Sequence, residues 1–325
     1  MNVLVPVILL LVSIFILVKS ADLTLKSIKS LTRKLHVKAF IVSSLILAFS
    51  TTLPELFVGI TSALKGSAHL SLGNIMGANI VNLSLVTGVA ALIAGGVVIK
   101  EKIILKELFL AGAAAVLPII LILDGSLSKV DGTILIFVYL IYTLGFFKSK
   151  FIEIGKHHID SKVFMRFVKN AEEVGLKSEK TFLHFLVGMG GLLLSSNFIV
   201  SLAEKLATVS GLPLFIVGMI ILSVGTTLPE MVISIESLEK GQSSIFFGSI
   251  LGSVVINSTF ILGLVSLVSP IVDKNPGRYL TTLVAFTITF LCFWIFTKTK
   301  SKISRSEAFI LLLIYIIFAT FILLG

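Results

Sequence analysis

Thr51-Thr52-Leu53-Pro54-Glu55 recurs unchanged as Thr226-Thr227-Leu228-Pro229-Glu230. Sliding the chain against itself by 175 residues extends the match, without a gap, over residues 40–88 and 215–263, with 19 identities in 49 positions. Lys65-Gly66 falls on Lys240-Gly241, Gly73 on Gly248, Gly77 on Gly252, Asn82 on Asn257 and Gly88 on Gly263. Chance likeness between apolar segments yields scattered Leu and Ile pairs. It does not yield an acid after a proline in both copies together with four aligned glycines, so the unit is a duplicated structural element.

Both copies sit inside apolar runs. Of the 325 residues 56% are hydrophobic and 14% charged, and the mean hydropathy is +1.09. So little charge cannot cover a soluble fold of this length, whereas apolar runs of about 18 or more residues suit membrane helices. Ten such runs are read, at 3–18, 40–64, 68–95, 103–123, 131–147, 182–200, 212–238, 243–271, 279–297 and 306–324. Backbone groups in lipid must be satisfied internally, so the spans are expected as helices. The ten-residue alternating segments of a β-barrel are missing. The first run lacks a basic leader and a small-residue cleavage site, and is read as a retained span. The single cysteine, Cys292, lies in a span and leaves no intrachain disulfide to form.

A net charge of +10 invites a nucleic-acid partner, but the distribution of charge excludes it. With loops assigned alternately to two sides, 19–39, 96–106, 148–181, 239–242 and 298–305 carry 22 of the 27 Lys and Arg. The other side carries Lys65, Lys129, Lys205, Lys274 and Arg278. Positive residues stay on the cytoplasmic side. Both termini are thus expected outside a plasma (inner) membrane, with the loop 148–181 in the cytoplasm. Each residue is separated from its copy by five spans, an odd number, so the two copies face opposite ways. The expected fold is an all-α membrane protein of ten transmembrane helices in two inverted five-helix repeats, 1–147 and 182–325, with helices 2, 3, 7 and 8 broken. Inverted repeats with interrupted helices and a site at the midplane form a transporter architecture.

Glu55 and Glu230 lie mid-span, where a charged carboxylate costs at least about 2.5–3.5 kcal/mol. No Lys or Arg lies deep in a span to offset that cost. Two such acids must share protons or bind a cation; the bland alternative is a pair of protonated acids bonding helix to helix. Pro54 and Pro229 have no N–H for the carbonyl four residues earlier and push the backbone open there. Carbonyls around Ala48–Thr51 and Ser223–Thr226 are expected to turn toward the acids, with the hydroxyls of Thr51, Thr52, Thr226 and Thr227. Hard cations such as calcium take about six to eight oxygen ligands. No thiolate or imidazole is near, which disfavours zinc, copper or iron. Gly73-x-x-x-Gly77 and Gly248-x-x-x-Gly252 allow close helix approach. Asn82 and Asn257 offer amide oxygens or interhelical hydrogen bonds, and Ser253 a ligand or a packing contact.

Other polar features are read more plainly. Glu236, aligned with Thr61, is expected to pair with Lys240 at the surface. Asp22, Asp124, Asp131 and Asp273 are expected in loops, in water. Residues 160–176 place Val163, Phe164, Phe167, Val168, Ala171 and Val174 on one helical face, either an amphipathic surface helix or a solvated linker. His157-His158 is read as a loop feature. No nucleophile–base pair or metal-protease motif is present, so an intramembrane enzyme is not indicated. A cation channel remains as the rival class.

These residues resemble the cation/calcium antiporter superfamily, in its sodium/calcium exchanger branch, over the whole ten-span chain. The copies resemble that family's alpha repeats, about 40–95 and 212–271. The resemblance implies exchange of calcium for sodium with no cofactor, by a chain expected to work as a monomer in the lipid bilayer. It implies that Glu55 and Glu230 share both ions and that the Thr51 and Thr226 carbonyls complete calcium coordination. Ala48, Thr52, Ser223, Thr227 and Ser253 would line flanking sodium sites, Asn82 and Asn257 the central polar pair, and spans one and six would slide over a fixed core. Ala78, Asn257 and Ser50 depart from the family pattern of serine, aspartate and glycine, leaving proton or potassium coupling open as an alternative.

Overall fold

The two helical stretches that carry the repeated glycines form the centre of the molecule. Of the most apolar windows of Ala68–Ala94 and Ser243–Val268, 83% and 78% are buried, against 17% for Arg305–Leu323. The structure is a computed structural model that describes residues 4–34, 49–99, 104–155, 179–273, 277–299 and 302–324. Ala48, the segment 160–176 and the His157-His158 pair lie outside the described residues.

In the first half, α1 (Leu4–Lys34) precedes α2 (Leu53–Leu64) and α3 (Ala68–Val81). A π-helical turn, Asn82–Val86, leads into α4 (Thr87–Ala94), followed by α5 (Ile104–Leu121) and α6 (Lys129–Gly155). The second half opens with α7 (Glu179–Ser210) and runs through α8 (Leu214–Ile216), a π turn Val217–Leu222, α9 (Ser223–Thr226) and α10 (Leu228–Glu239). Then come α11 (Ser243–Val255), a π turn Ile256–Ile261, α12 (Leu262–Val268), α13 (Gly277–Lys298) and α14 (Arg305–Leu324). Among the described residues eight helices are long and apolar enough to cross a membrane. The expected second span is described only from residue 49, and the expected fifth lies within the 27-residue helix α6.

The outer helices turn large apolar side chains outward: Phe15, Phe137, Leu194, Phe198, Ile317 and Phe321 are each more than 60% exposed. Such a surface suits lipid, where apolar exposure costs nothing. Lys19 and Lys298 fold back over the rings of Phe15 and Trp294 at 5.5 and 4.7 Å. Each ammonium group thus rests over an aromatic face, a cation–π contact.

Glycine decides how tightly the centre packs. A Cβ on Gly73 would overlap the Phe215 carbonyl, and one on Gly77 the Met219 carbonyl, so α3 meets α8 and the Val217–Leu222 turn backbone to backbone. The first copy's equivalent of that turn, within residues 40–48, lies outside the described residues. Gly66 and Gly241 end α2 and α10 at φ +75° and +67°, a conformation open to glycine because it has no Cβ.

Two pairs of two-residue strands clasp the halves together. β1 (Val97–Val98) pairs antiparallel with β4 (Lys302–Ile303), and β2 (Ser126–Leu127) with β3 (Ile271–Val272). In each clasp one strand follows the helix after the π turn, α4 or α12, and the other precedes α14 or α6.

Of the four acids expected in loops in water, Asp22 and Asp131 lie in helices, whereas Asp124, which is exposed, and Asp273 lie in connecting segments as expected but each accept a hydrogen bond. Asp22 lies in α1 and pairs with Lys26 at 2.7 Å. Asp131 accepts the Ser128 N–H at 2.8 Å in a capping box at the start of α6, and Asp124 accepts the Ser126 N–H at 2.9 Å. Asp273 accepts the Tyr279 hydroxyl at 2.7 Å, tying the strand clasp to α13. Free backbone N–H groups at helix starts and turns recruit nearby carboxylates, which is why Asp124 and Asp131 are held.

Candidate ion site between the repeated helices

Proline restarts the helix in both copies. Pro54 and Pro229 occupy the first turn of α2 and α10, where a missing N–H costs no hydrogen bond. The preceding Thr52 and Thr227 share one non-helical conformation, φ −84° with ψ 4° and 2°. Glu55 and Glu230 consequently sit in first turns, at the positive end of each helix dipole, which favours a carboxylate.

Both acids are fully buried, and they lie close enough to repel one another electrostatically. Each stands beside the threonine of the other copy, Thr226 by Glu55 and Thr51 by Glu230. The ion pairs among the described residues, Asp22 with Lys26 and Glu236 with Lys240, involve neither acid. The Glu236–Lys240 pair, at 3.3 Å and mostly exposed, is the surface contact expected of it.

The acids differ in their surroundings. Ser253 donates to Glu230 Oε1 at 3.2 Å, and Thr51 Oγ1 lies 3.4 Å from Ser253 Oγ. Neither oxygen of Glu55 meets a hydrogen-bond donor at normal geometry, and Oε2 of Glu230 is likewise unbonded within the protein. Around them both side-chain polar atoms of Asn82 and of Asn257 are buried without a partner, as are Asn74 Nδ2, Asn79 Oδ1 and Ser249 Oγ. Unpaired buried polar atoms are rare, because each costs roughly 1–3 kcal/mol of lost hydration. Here they gather on helices that meet: the Asn82 turn packs against α10, which carries Glu230, and the Asn257 turn against α2, which carries Glu55. Oxygen-rich, doubly acidic and walled by apolar helices, the cluster is fit to hold a desolvated cation.

The remaining expected residues divide. Thr51, Thr226 and Ser253 come together with the acids. Thr52, Thr227 and Ser223 turn their hydroxyls onto their own helices, to Phe49 O at 3.0 Å, Ser223 O at 2.8 Å and Met219 O at 2.5 Å. The Ser223 carbonyl also accepts the Thr227 N–H at 3.2 Å, so helix bonds occupy much of the opened turn. Two residues that the repeat does not mark join the cluster: Asn74 accepts from Thr226 at 3.2 Å, and Asn79 donates to Ser258 at 2.7 Å. A sequence signal for them exists. Both amides fall in a mostly apolar, glycine-bearing helix that is buried at every position but His69, where an unneeded polar group would be costly.

The profile of the sodium/calcium exchanger protein family matches residues 5–148 and 180–324, and the chain belongs to that family. It is 25% identical to the sodium/calcium exchanger MaX1 of Methanosarcina acetivorans over 343 aligned positions, covering 95% of this chain and 96% of that one. It is 27% identical to the inner membrane protein YrbG of Escherichia coli, covering 87% of each. Its fold matches that of the sodium-calcium exchanger NCX_Mj with a TM-score of 0.63 at 21% identity, over 97% of this chain and 98% of the other. It is a multi-pass membrane protein of that fold.

Proposed function

We propose that the protein is a secondary active antiporter that exchanges calcium for sodium by alternating access through Glu55 and Glu230. The observation that carries the reading is two fully buried acids, one from each copy of the repeat, close to each other with no basic side chain paired to them among the described residues. Two like charges so placed repel in a medium that screens them poorly. A divalent ion between them removes the repulsion and replaces lost water with carboxylate oxygen. Monovalent ions competing for the same acids would do so in greater number. When empty, the doubly charged cavity resists the change of access; when filled, it crosses.

The architecture proposed for this work is ten spans in two inverted five-helix repeats, 1–147 and 182–325, joined by the basic cytoplasmic loop 148–181. The 175-residue offset supports it, as do the matching restarts at Thr52 and Thr227 and the reciprocal strand clasps. The charge bias supports a plasma (inner) membrane setting with both termini outside. Since both acids and their threonines come from one chain, a monomer suffices. Thr51, Thr226 and Ser253 would serve the acids directly, and Asn82 and Asn257 would lie beside the ions. Ala48, Thr52, Ser223 and Thr227 would contribute backbone oxygen. The relatives' names, sodium/calcium exchanger among them, support sodium as the counter-ion.

The test is radiolabelled calcium uptake into proteoliposomes under sodium, proton or potassium gradients imposed in turn. An outward sodium gradient is expected to drive saturable uptake that stops when the gradient collapses. Uptake that does not saturate and needs no counter-ion would instead define a channel.

A further inference from the structure

Thr226 lies beside Glu55 in the site proposed above, and its hydroxyl has a single proton for which Glu55, Asn74 and the Ser223 carbonyl compete; neither Glu55 oxygen meets a donor at normal hydrogen-bond geometry. Asn74 Oδ1 accepts it at 3.2 Å, nearer than the Ser223 carbonyl at 3.5 Å, and the pair bridges 152 residues between the two copies. Both residues are fully buried. The backbone that carries the amide is itself fixed: a Cβ built on Gly218 would come within 2.9 Å of Asn74 N, so α3 already lies as near the facing segment as glycine permits.

A hydroxyl that gives its proton to a neutral amide keeps its lone pairs for the other side. One that gives its proton to a carboxylate presents hydrogen to the cavity and repels a cation. We propose that Asn74 is a positioning residue of the ion site, taking the Thr226 proton so that the Thr226 oxygen faces Glu55 and the bound cation with lone pairs. The inference rests on the antiport reading and adds a residue to it. The other copy uses a different device. Its residue aligned with Asn74 is Ser249, and Thr51 instead approaches Ser253, whose own proton goes to Glu230. Because Ala78 stands at the position of Ser253 in the first copy, no serine can perform that task beside Glu55. Asn74, one turn before Ala78 on the same helix α3, takes the threonine proton there instead.

The test is a double-mutant cycle on the purified full chain, with calcium affinity read by titration calorimetry in detergent and turnover in proteoliposomes. Asn74→Leu is expected to weaken calcium binding about tenfold while the maximal rate changes less than about twofold. In a Thr226→Val background the same change should have no further effect, and in Thr226→Ser, which keeps the hydroxyl, the tenfold loss should return. If Asn74→Leu does not elute as a folded protein, Asn74→Ala enters the same cycle. Independent effects in the Val background, or unaltered affinity in the single variant, would overturn the positioning role. A wild-type protein that binds no calcium would instead overturn the antiport reading, and this inference with it.

Discussion

Ser253 donates a hydrogen bond to Glu230 at 3.2 Å, and the residue aligned with it in the first copy is Ala78, a buried methyl that can donate nothing. The repeated acids are therefore chemically unequal. A hydrogen bond to a charged group is worth roughly 1.5–3 kcal/mol, and about 1.4 kcal/mol corresponds to tenfold in affinity. Ser253→Ala is expected to raise the calcium concentration for half-maximal uptake about tenfold, measured in proteoliposomes. An unchanged value would show that the bond does not preorganise the site.

Glu55→Gln and Glu230→Gln each remove one charge and keep the shape. Either is expected to abolish gradient-driven calcium uptake while the protein still elutes as a single folded species in detergent. The fold survives because neither carboxylate is held by an ion pair among the described residues. Full transport by either variant would refute the paired-acid site.

Gly77→Ala places a methyl onto the Met219 carbonyl, and backbone cannot swing aside as a side chain can. Overpacking of this kind costs typically about 1–3 kcal/mol. Gly190→Ala is the control, since a Cβ there meets no atom within 4 Å. The expected result is a clearly lowered melting temperature in detergent for the first variant and none for the second.

Lys65 and Lys240 occupy aligned positions but hold different partners. Lys65 Nζ donates to the Asn197 carbonyl at 2.9 Å and to Ser201 Oγ at 2.8 Å, tying the α2–α3 turn to α7, where Ser67 also bonds Glu204. Lys240 reaches Glu236 on its own helix, an exposed pair worth about 0–1 kcal/mol. Lys65→Met is expected to speed amide hydrogen exchange in α7 around residues 197–204. Lys240→Met should leave exchange in the opposite turn near its wild-type rate.

Much of the fold is legible in the chain's own pattern. The repeated Thr-Thr-Leu-Pro-Glu marks both helix restarts, because proline acts on its own backbone and needs no distant partner. The spacing Gly73-x-x-x-Gly77 announces a close contact, though not that the contact is with the Phe215 and Met219 carbonyls. Asp131 escapes such reading for a related reason: it resembles any solvated loop acid until the free N–H groups at the start of α6 claim it.

Local composition and a repeat period are enough to establish the membrane class, the duplication and the two acids. Other features exist only in the folded chain. Each acid stands by the other copy's threonine, Thr52, Thr227 and Ser223 turn back on their own helices, and Asn74 takes the Thr226 proton. A hydroxyl has one proton and several acceptors within reach. For Thr226 the acceptor lies 152 residues away in the chain, and no local pattern records a contact over that separation.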